Sequence, residues 1–264
     1  MRLVTWNINS VRLRMPIVSK LVKEENPDVI CLQETKVIDD LFPVADIESL
    51  GFRHLAFSGM KGYNGVAILS RLPFAKIETK GWCKKSDCRH VYVTFESGVE
   101  LHNFYVPAGG DVPDPAVNEK FSHKLAFLDD MKAWFATKAG EKKSRILVGD
   151  LNIAPLETDV WSHKQLLKVV SHTPIEVEKL GAVQKSLGWI DAVRHSISEE
   201  EKLYSWWSYR SRDWSESNRG RRLDHVWVTP NLVEGLRDAK ILRHARGWEK
   251  PSDHVPVIVD LDHP

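Results

Sequence analysis

Short apolar runs of strand length recur along the whole of this 264-residue chain, and helical stretches fall between them. Ile146-Leu147-Val148 is typical: a continuous apolar run, the mark of a strand covered on both faces. Leu3–Ile8, Asp28–Gln33, Phe52–Phe57, Val66–Leu69, Val91–Phe95 and Leu101–Val106 read the same way. The last four follow one another through short turns, which predicts antiparallel pairing. Further extended segments are expected at Asp191–Arg194, Tyr204–Tyr209, Leu223–Val228 and Val255–Leu261. Helices are expected at Pro16–Glu25, at Asn118–Ala139 before Gly140, and within a polar region that reaches about Leu187. Strands dominating both halves, with helices between them, favour sheet packed on sheet with helices outside.

No low-complexity linker, charge block or short repeat divides the chain, so one domain over 1–264 is expected. With 42% hydrophobic and 28% charged residues it has the composition of a globular protein. No run approaches the ~18 apolar residues of a membrane span. The N-terminus, MRLVTWNINS, lacks the long apolar core and cleavage site of a signal peptide. Cys31, Cys83 and Cys88 are scattered thiols without zinc spacing, so a reducing cytoplasm is the expected compartment. A net charge of +1 argues against a protein that coats nucleic acid but leaves room for a local basic groove.

The polar residues at the ends of the apolar runs carry the chemistry. Val4-Thr5-Trp6 runs into Asn7, Ile8 and Asn9; Val29–Leu32 runs into Gln33, Glu34, Thr35 and Lys36. His102-Asn103-Phe104 leads to Tyr105, and Ile146–Val148 leads through Gly149 to Asp150 and Asn152. In an extended chain residues two apart share a face, so Asp150 and Asn152 are expected to point together. Asp224 opens a later strand, and Asp253-His254 precedes the last. Each has a bland reading: a turn, a solvated cap, an ion pair of Asp224 with Arg222, or a strand-end tyrosine. Together they form an inventory of carboxylates, amides and one imidazole that can meet on one rim of a sandwich. Magnesium prefers carboxylate oxygens, a carboxylate can deprotonate water, and a histidine can hold a phosphate oxygen.

WNINS, LQETK, YVP, GDLN, RLDH and SDH occur in that order across essentially the whole chain. This set resembles the exonuclease III type of apurinic/apyrimidinic (AP) endonuclease, within the endonuclease/exonuclease/phosphatase superfamily. The resemblance implies an α/β fold, a four-layer sandwich of two packed mixed sheets flanked by helices, as in DNase-I-like proteins. It implies Glu34 as the principal magnesium ligand, with Asn7 hydrogen-bonding beside it and Asp253 near the metal; manganese can substitute. Asp150 would orient and deprotonate the attacking water, and Asn152 would hold the phosphate or nucleophile. His254 would bind phosphate, oriented by Asp224, and Tyr105 would help the leaving oxygen. Two departures stand out: Asn9 replaces an aspartate of some relatives, and Ala108 replaces an amide residue.

Ser205–His225 holds five Arg, three Trp and one Tyr against three acidic residues. Arginine meets phosphate and rings pack on sugar or base, so this segment suits nucleic acid, although a solvated loop would have the same composition. By resemblance Trp206 and Leu223 line a pocket for a base-free deoxyribose, with Arg221 standing where some relatives carry an aromatic. Lys36, Tyr63, Asn64, Arg219 and Arg222 are expected to meet DNA. The implied partner is duplex DNA with abasic sites or blocked 3′ ends, handled by a monomer at the nucleoid without any membrane. The implied activity is a magnesium-dependent phosphodiesterase cutting 5′ to abasic sites, with 3′-5′ exonuclease and end-cleaning activity. Alternatives are a phosphoesterase of inositol phosphates or phospholipids, and a non-catalytic DNA-binding relative.

Overall fold

A computed structural model describes residues 1–262. The strands in chain order are β1 (Arg2–Asn7), β2 (Val29–Gln33), β3 (His54–Ser58), β4 (Val66–Ser70), β5 (Phe74–Thr79), β6 (His90–Phe95) and β7 (Glu100–Tyr105). They continue with β8 (Arg145–Asp150), β9 (Ile190–Asp191), β10 (Trp206–Trp207), β11 (Gly220–Arg221), β12 (Asp224–Val228), β13 (Leu236–Ile241) and β14 (Val257–Leu261). The helices are α1 (Val11–Glu25), α2 (Val44–Ser49), α3 (Glu119–Ala136), α4 (His163–Leu166), α5 (Pro174–Ser186), α6 (Ala192–Ser196) and α7 (Trp214–Ser217).

Two six-stranded sheets result, in the orders β13-β14-β1-β2-β4-β3 and β5-β6-β7-β8-β12-β9. Each is mixed: β1–β2 and β7–β8 are parallel pairs in otherwise antiparallel surroundings. Side-chain alternation sorts the residues into layers. Leu3, Val29, Cys31, Leu101, Ile146, Val148 and Val226 fill the gap between the sheets. Val4, Trp6, Ile30 and Leu32 face outward onto Ile17, Val18 and Leu21 of α1. Phe104, Leu147 and Trp227 face the other way onto Phe127, Met131 and Phe135 of α3 and Leu180 of α5. Helix, sheet, sheet and helix make four layers.

Several boundaries differ from the sequence expectation for physical reasons. The successive strands after Phe52 do pair antiparallel, but the chain changes sheet between β4 and β5, so they divide into two groups. The edge strands β5 and β13 have no counterpart in the expectation. Both carry solvent-facing charges and a register shift, which blurs their apolar alternation. Asp191–Arg194 is not extended beyond Asp191, whose side chain caps α6 by accepting from the amides of Val193 and Arg194. In Tyr204–Tyr209 only the two residues of β10 form a strand, paired with β11, and Trp206 also bridges His254. Helix α1 starts at Val11, so Pro16 lies within it on its exposed side. Helix α3 is shorter than expected and is capped by the Asn118 side chain, which accepts from the Lys120 amide.

Candidate active site

The same alternation that fills the core delivers the polar residues to one end of it. Thr5 and Asn7 lie on the inner face of β1, as Tyr105 does on β7, Asp150 on β8 and Asp224 on β12. The register pairs Tyr105 with Asp150 in parallel and Asp224 with Asp150 in antiparallel. Asn7, from the other sheet, reaches across: its Nδ2 donates to Asp150 Oδ2 at 2.9 Å and to Glu34 Oε1 at 2.9 Å. Glu34 follows β2 in the left-handed region, φ 51°, and also accepts from the Tyr105 hydroxyl at 2.8 Å. Gly149 is obligatory here: at φ 140° a Cβ would lie 1.9 Å from the Phe104 carbonyl oxygen.

Asp150 and Asn152 do meet, but not as alternate residues of a strand. The strand stops at Asp150, and Asn152 takes φ 55°. The Asp150 carboxylate accepts from the Asn152 backbone amide at 2.9 Å and from its Nδ2 at 3.2 Å. A tight turn closed by the aspartate brings the amide back over it. Asn152 Nδ2 also donates to the Val106 carbonyl, joining this turn to the one after β7.

His254 Nδ1 lies 2.8 Å from Asp224 Oδ2, and its Nε2 lies 3.6 Å from Asp150 Oδ2. Burial alone would lower its pKa, but Asp224, Asp150 and Asp253 outweigh that and raise it to about 10. The imidazole is therefore a charged donor. Burial drives Asp150 upward from the usual carboxylate range, with Asp224 and Glu34 adding to it against the pull of His254 and Asn7. Burial, with Glu34 and Asp150, holds the Tyr105 hydroxyl protonated. Burial opposes ionisation of Glu34 too, but the bonds from Asn7 and Lys36 prevail and lower its pKa.

The Glu34 end fits a hard divalent cation. Its donors are carboxylate and amide oxygens, and it already attracts a cation: the Lys36 ammonium sits 2.8 Å from Glu34 Oε2 and 2.6 Å from Asn9 Oδ1. Asp150, Asp224 and His254 also lie close enough to share an ion. All three are buried, and one imidazole nitrogen is already committed, since His254 Nδ1 pairs with Asp224 Oδ2 while Nε2 stands 3.6 Å from Asp150. Asp253 is engaged by Asn9 Nδ2 at 3.1 Å and by the Trp206 indole at 3.0 Å. Asn9 thus bridges Lys36 to Asp253.

A pocket of about 540 Å³ opens from this cluster, with Glu34, Tyr105, Asp150, Asn152, Asp253 and His254 at one side. Trp206, Leu223, Val169 and Val170 supply its apolar wall, and Arg210, Arg219 and Arg221 its cations. Arg219 stacks over Trp161 at 4.7 Å, and Arg221 over Trp206 at 5.2 Å. Tyr63 is exposed on its loop, outside the pocket lining.

Two residues expected at the DNA surface are elsewhere. Arg222 is 1% exposed, bonded to Asp159 through Nε at 2.7 Å and Nη2 at 2.9 Å, and to Asp191 at 2.7 Å. Its position in the chain points it opposite to Arg221, into the protein, where it cannot meet a phosphate. Asn64 is 5% exposed and donates to the Asp87 carbonyl, so it secures the 60s loop from inside.

Other contributors escape notice in the sequence. Ser205 Oγ donates to Asp224 Oδ2 at 2.6 Å while accepting from the amides of Leu223 and Asp224. Lys124, fully buried on α3, pairs with Glu176 of α5 and donates to the carbonyls of Asn152 and Ala108. It ties the turns after β7 and β8 to the helix layer. A lysine among the apolar positions of α3 is the one signal that could have revealed it.

Two packed sheets with acid, amide and imidazole groups converging at one end make a site built to hydrolyse phosphate esters. The chain belongs to the endonuclease/exonuclease/phosphatase family, whose pattern matches residues 4–254. It is 30% identical to the exodeoxyribonuclease III of Haemophilus influenzae, over 97% of this chain and 98% of that one. It superposes on an AP endonuclease from Archaeoglobus fulgidus with a TM-score of 0.91 and 32% identity, covering 100% of both chains. A Neisseria 3′ phosphatase, NExo, solved with a product DNA hairpin, gives 0.91 and 30%, again over 100% of both.

Proposed function

We propose that the protein is a metal-dependent DNA repair nuclease that hydrolyses the backbone 5′ to abasic sites and trims 3′ ends. One observation carries this reading: the hydrogen-bonded pair Asp224–His254 and the hydrogen-bonded trio Asp150–Asn7–Glu34, 3.6 Å apart, open together onto a pocket walled by tryptophan, leucine and arginine. The named relatives act as exodeoxyribonuclease, AP endonuclease and 3′ phosphatase, which supports the same chemistry.

In this reading Asp150 accepts the proton of a water, whose oxygen attacks phosphorus. Burial has left that carboxylate more basic than an exposed one, as the task requires. The phosphorus–O3′ bond breaks, giving a 3′-hydroxyl and a 5′-deoxyribose phosphate. Asn152 holds the attacking group, and charged His254 donates to a non-bridging phosphate oxygen while Asp224 fixes its ring. Tyr105, held protonated, donates toward the leaving oxygen. Glu34, supported by Asn7 and with Asp253 nearby, would hold magnesium or manganese, which supplies charge neutralisation for the phosphate and the leaving group. Trp206, Leu223 and Arg221 would enclose the extruded sugar, and Lys36, Tyr63 and Arg219 would lie along the strand. No helix among the described residues is long and apolar enough to cross a membrane.

The test is incubation with abasic duplex, intact duplex and an inositol phosphate, each with magnesium or EDTA. Magnesium-dependent incision of the abasic duplex is expected, leaving a 3′-hydroxyl. Preference for the inositol phosphate would overturn the proposal.

A further inference from the structure

Arg221 is an unusual wall for a pocket meant to hold a sugar. Its Nη1 donates to the Val170 carbonyl at 2.9 Å and to Ser171 Oγ at 2.7 Å, which fixes the guanidinium plane. Its ring partner is Trp206 at 5.2 Å. No carboxylate forms an ion pair with it among the described residues; its Nε is buried beyond an occupant's reach, and with Nη1 engaged the Nη2 amino group is the donor left over. Arg222 beside it is saturated by two aspartates, so the contrast lies in the environment. Arg210 and Arg219, by comparison, are exposed at the rim, where phosphates pass. A half-buried, rigidly held cation with spare donors, facing a pocket, is organised to hydrogen-bond an oxygen of the occupant.

The occupant's chemistry narrows which oxygen. This step rests on the nuclease reading above, in which the extruded residue is a base-free deoxyribose. Its O3′ and O5′ are esterified to phosphate. Only the ring O4′ and the oxygen on C1′ remain, and the C1′ oxygen marks the position where a base has been lost. We propose that Arg221 is a specificity-determining residue that hydrogen-bonds the C1′ oxygen of the extruded sugar, so that the enzyme selects a hydrolytic abasic site over a sugar lacking that oxygen. A pocket walled only by apolar side chains packs the sugar faces and rejects a base by size, but does not distinguish the two. A donor left unpaired by the wrong ligand does.

The experiment compares duplexes carrying a natural abasic site with duplexes carrying its tetrahydrofuran analogue, which retains O4′ and lacks the C1′ oxygen. For wild type, kcat/KM for the natural site should exceed that for the analogue by about tenfold or more. Arg221→Met, which keeps an apolar stem on Trp206, should bring the ratio close to 1, and Arg221→Gln should restore part of it. Because the ratio is taken within one preparation, a partly unfolded variant does not distort it. Equal rates for wild type, or an unchanged ratio in Arg221→Met, would overturn the proposal. So would a parallel loss on both substrates with a flatter salt dependence, which marks a phosphate contact. Wild type that cuts neither duplex would overturn the nuclease reading itself, and this inference with it.

Discussion

At the scale of single residues, the site is a set of groups whose charges are fixed by their neighbours. Glu34 keeps its charge because Asn7 and Lys36 bond it, despite burial. Glu34→Gln preserves shape and hydrogen bonding to Tyr105 but removes that charge. Activity should fall by a factor of about 100 or more at millimolar magnesium and recover partly as magnesium rises, in a titration of incision rate. A magnesium optimum identical to wild type would remove Glu34 from the metal site. Most of these residues were legible because they stand at the ends of apolar runs, where parity alone decides which way they face. Asn152 is the instructive exception. Its proximity to Asp150 could be anticipated, but the left-handed turn that produces it could not, since the sequence favours turn and strand alike at Gly-Asp-Leu-Asn. Ser205 gives no signal: a serine in a serine-rich segment becomes the partner of Asp224 only when β12 is in place.

At the scale of elements, buried ion pairs decide how loops and helices are held. Arg222 carries the segment before β12 into contact with Asp159 and with Asp191 at the head of α6. Alternation along Arg221-Arg222-Leu223 gives the neighbouring arginines opposite fates, one in the pocket wall and one inside. Composition cannot separate them, because both read as basic. Arg222→Met should take the arginine partner from Asp191 and leave Asp159 to Arg194 alone, and cost about 3 kcal/mol in urea unfolding. Abasic-duplex binding per folded molecule should be unchanged. A stable Arg222→Met protein with weakened DNA binding would return the residue to the surface. The unforeseen edge strands β5 and β13 belong to the same lesson, since an edge strand can afford charges and so loses the alternation by which buried strands are recognised.

For the whole molecule, two sheets pressed face to face place the polar groups of the candidate site at the open end of their common core. Which strands join which sheet was not legible, because pairing across long separations, such as β1 with β14, leaves no local pattern. Stability of the assembly is linked to acid through its buried carboxylates. Asp191 is pushed up by burial but pulled further down by Arg222 and His225, so its pKa lies below the ordinary value. A depressed carboxylate contributes stability above its unfolded pKa near ~4, and that contribution is lost as pH falls toward the folded value. Asp191→Asn should therefore lower stability at pH 7. It should also flatten the fall in stability below pH ~4 by about one proton, measured by urea unfolding from pH 3 to 7. An unchanged slope would place the acid sensitivity elsewhere. The central claim is that Asp150 activates the nucleophile while Asp224 only orients and charges His254. Single-turnover incision of an abasic duplex by Asp150→Asn and Asp224→Asn, with binding measured in parallel, tests it most directly. Asp150→Asn should lose about a thousandfold or more in rate while still binding the duplex, and Asp224→Asn should lose distinctly less. A larger loss in Asp224→Asn, or near-normal turnover in Asp150→Asn, would contradict it.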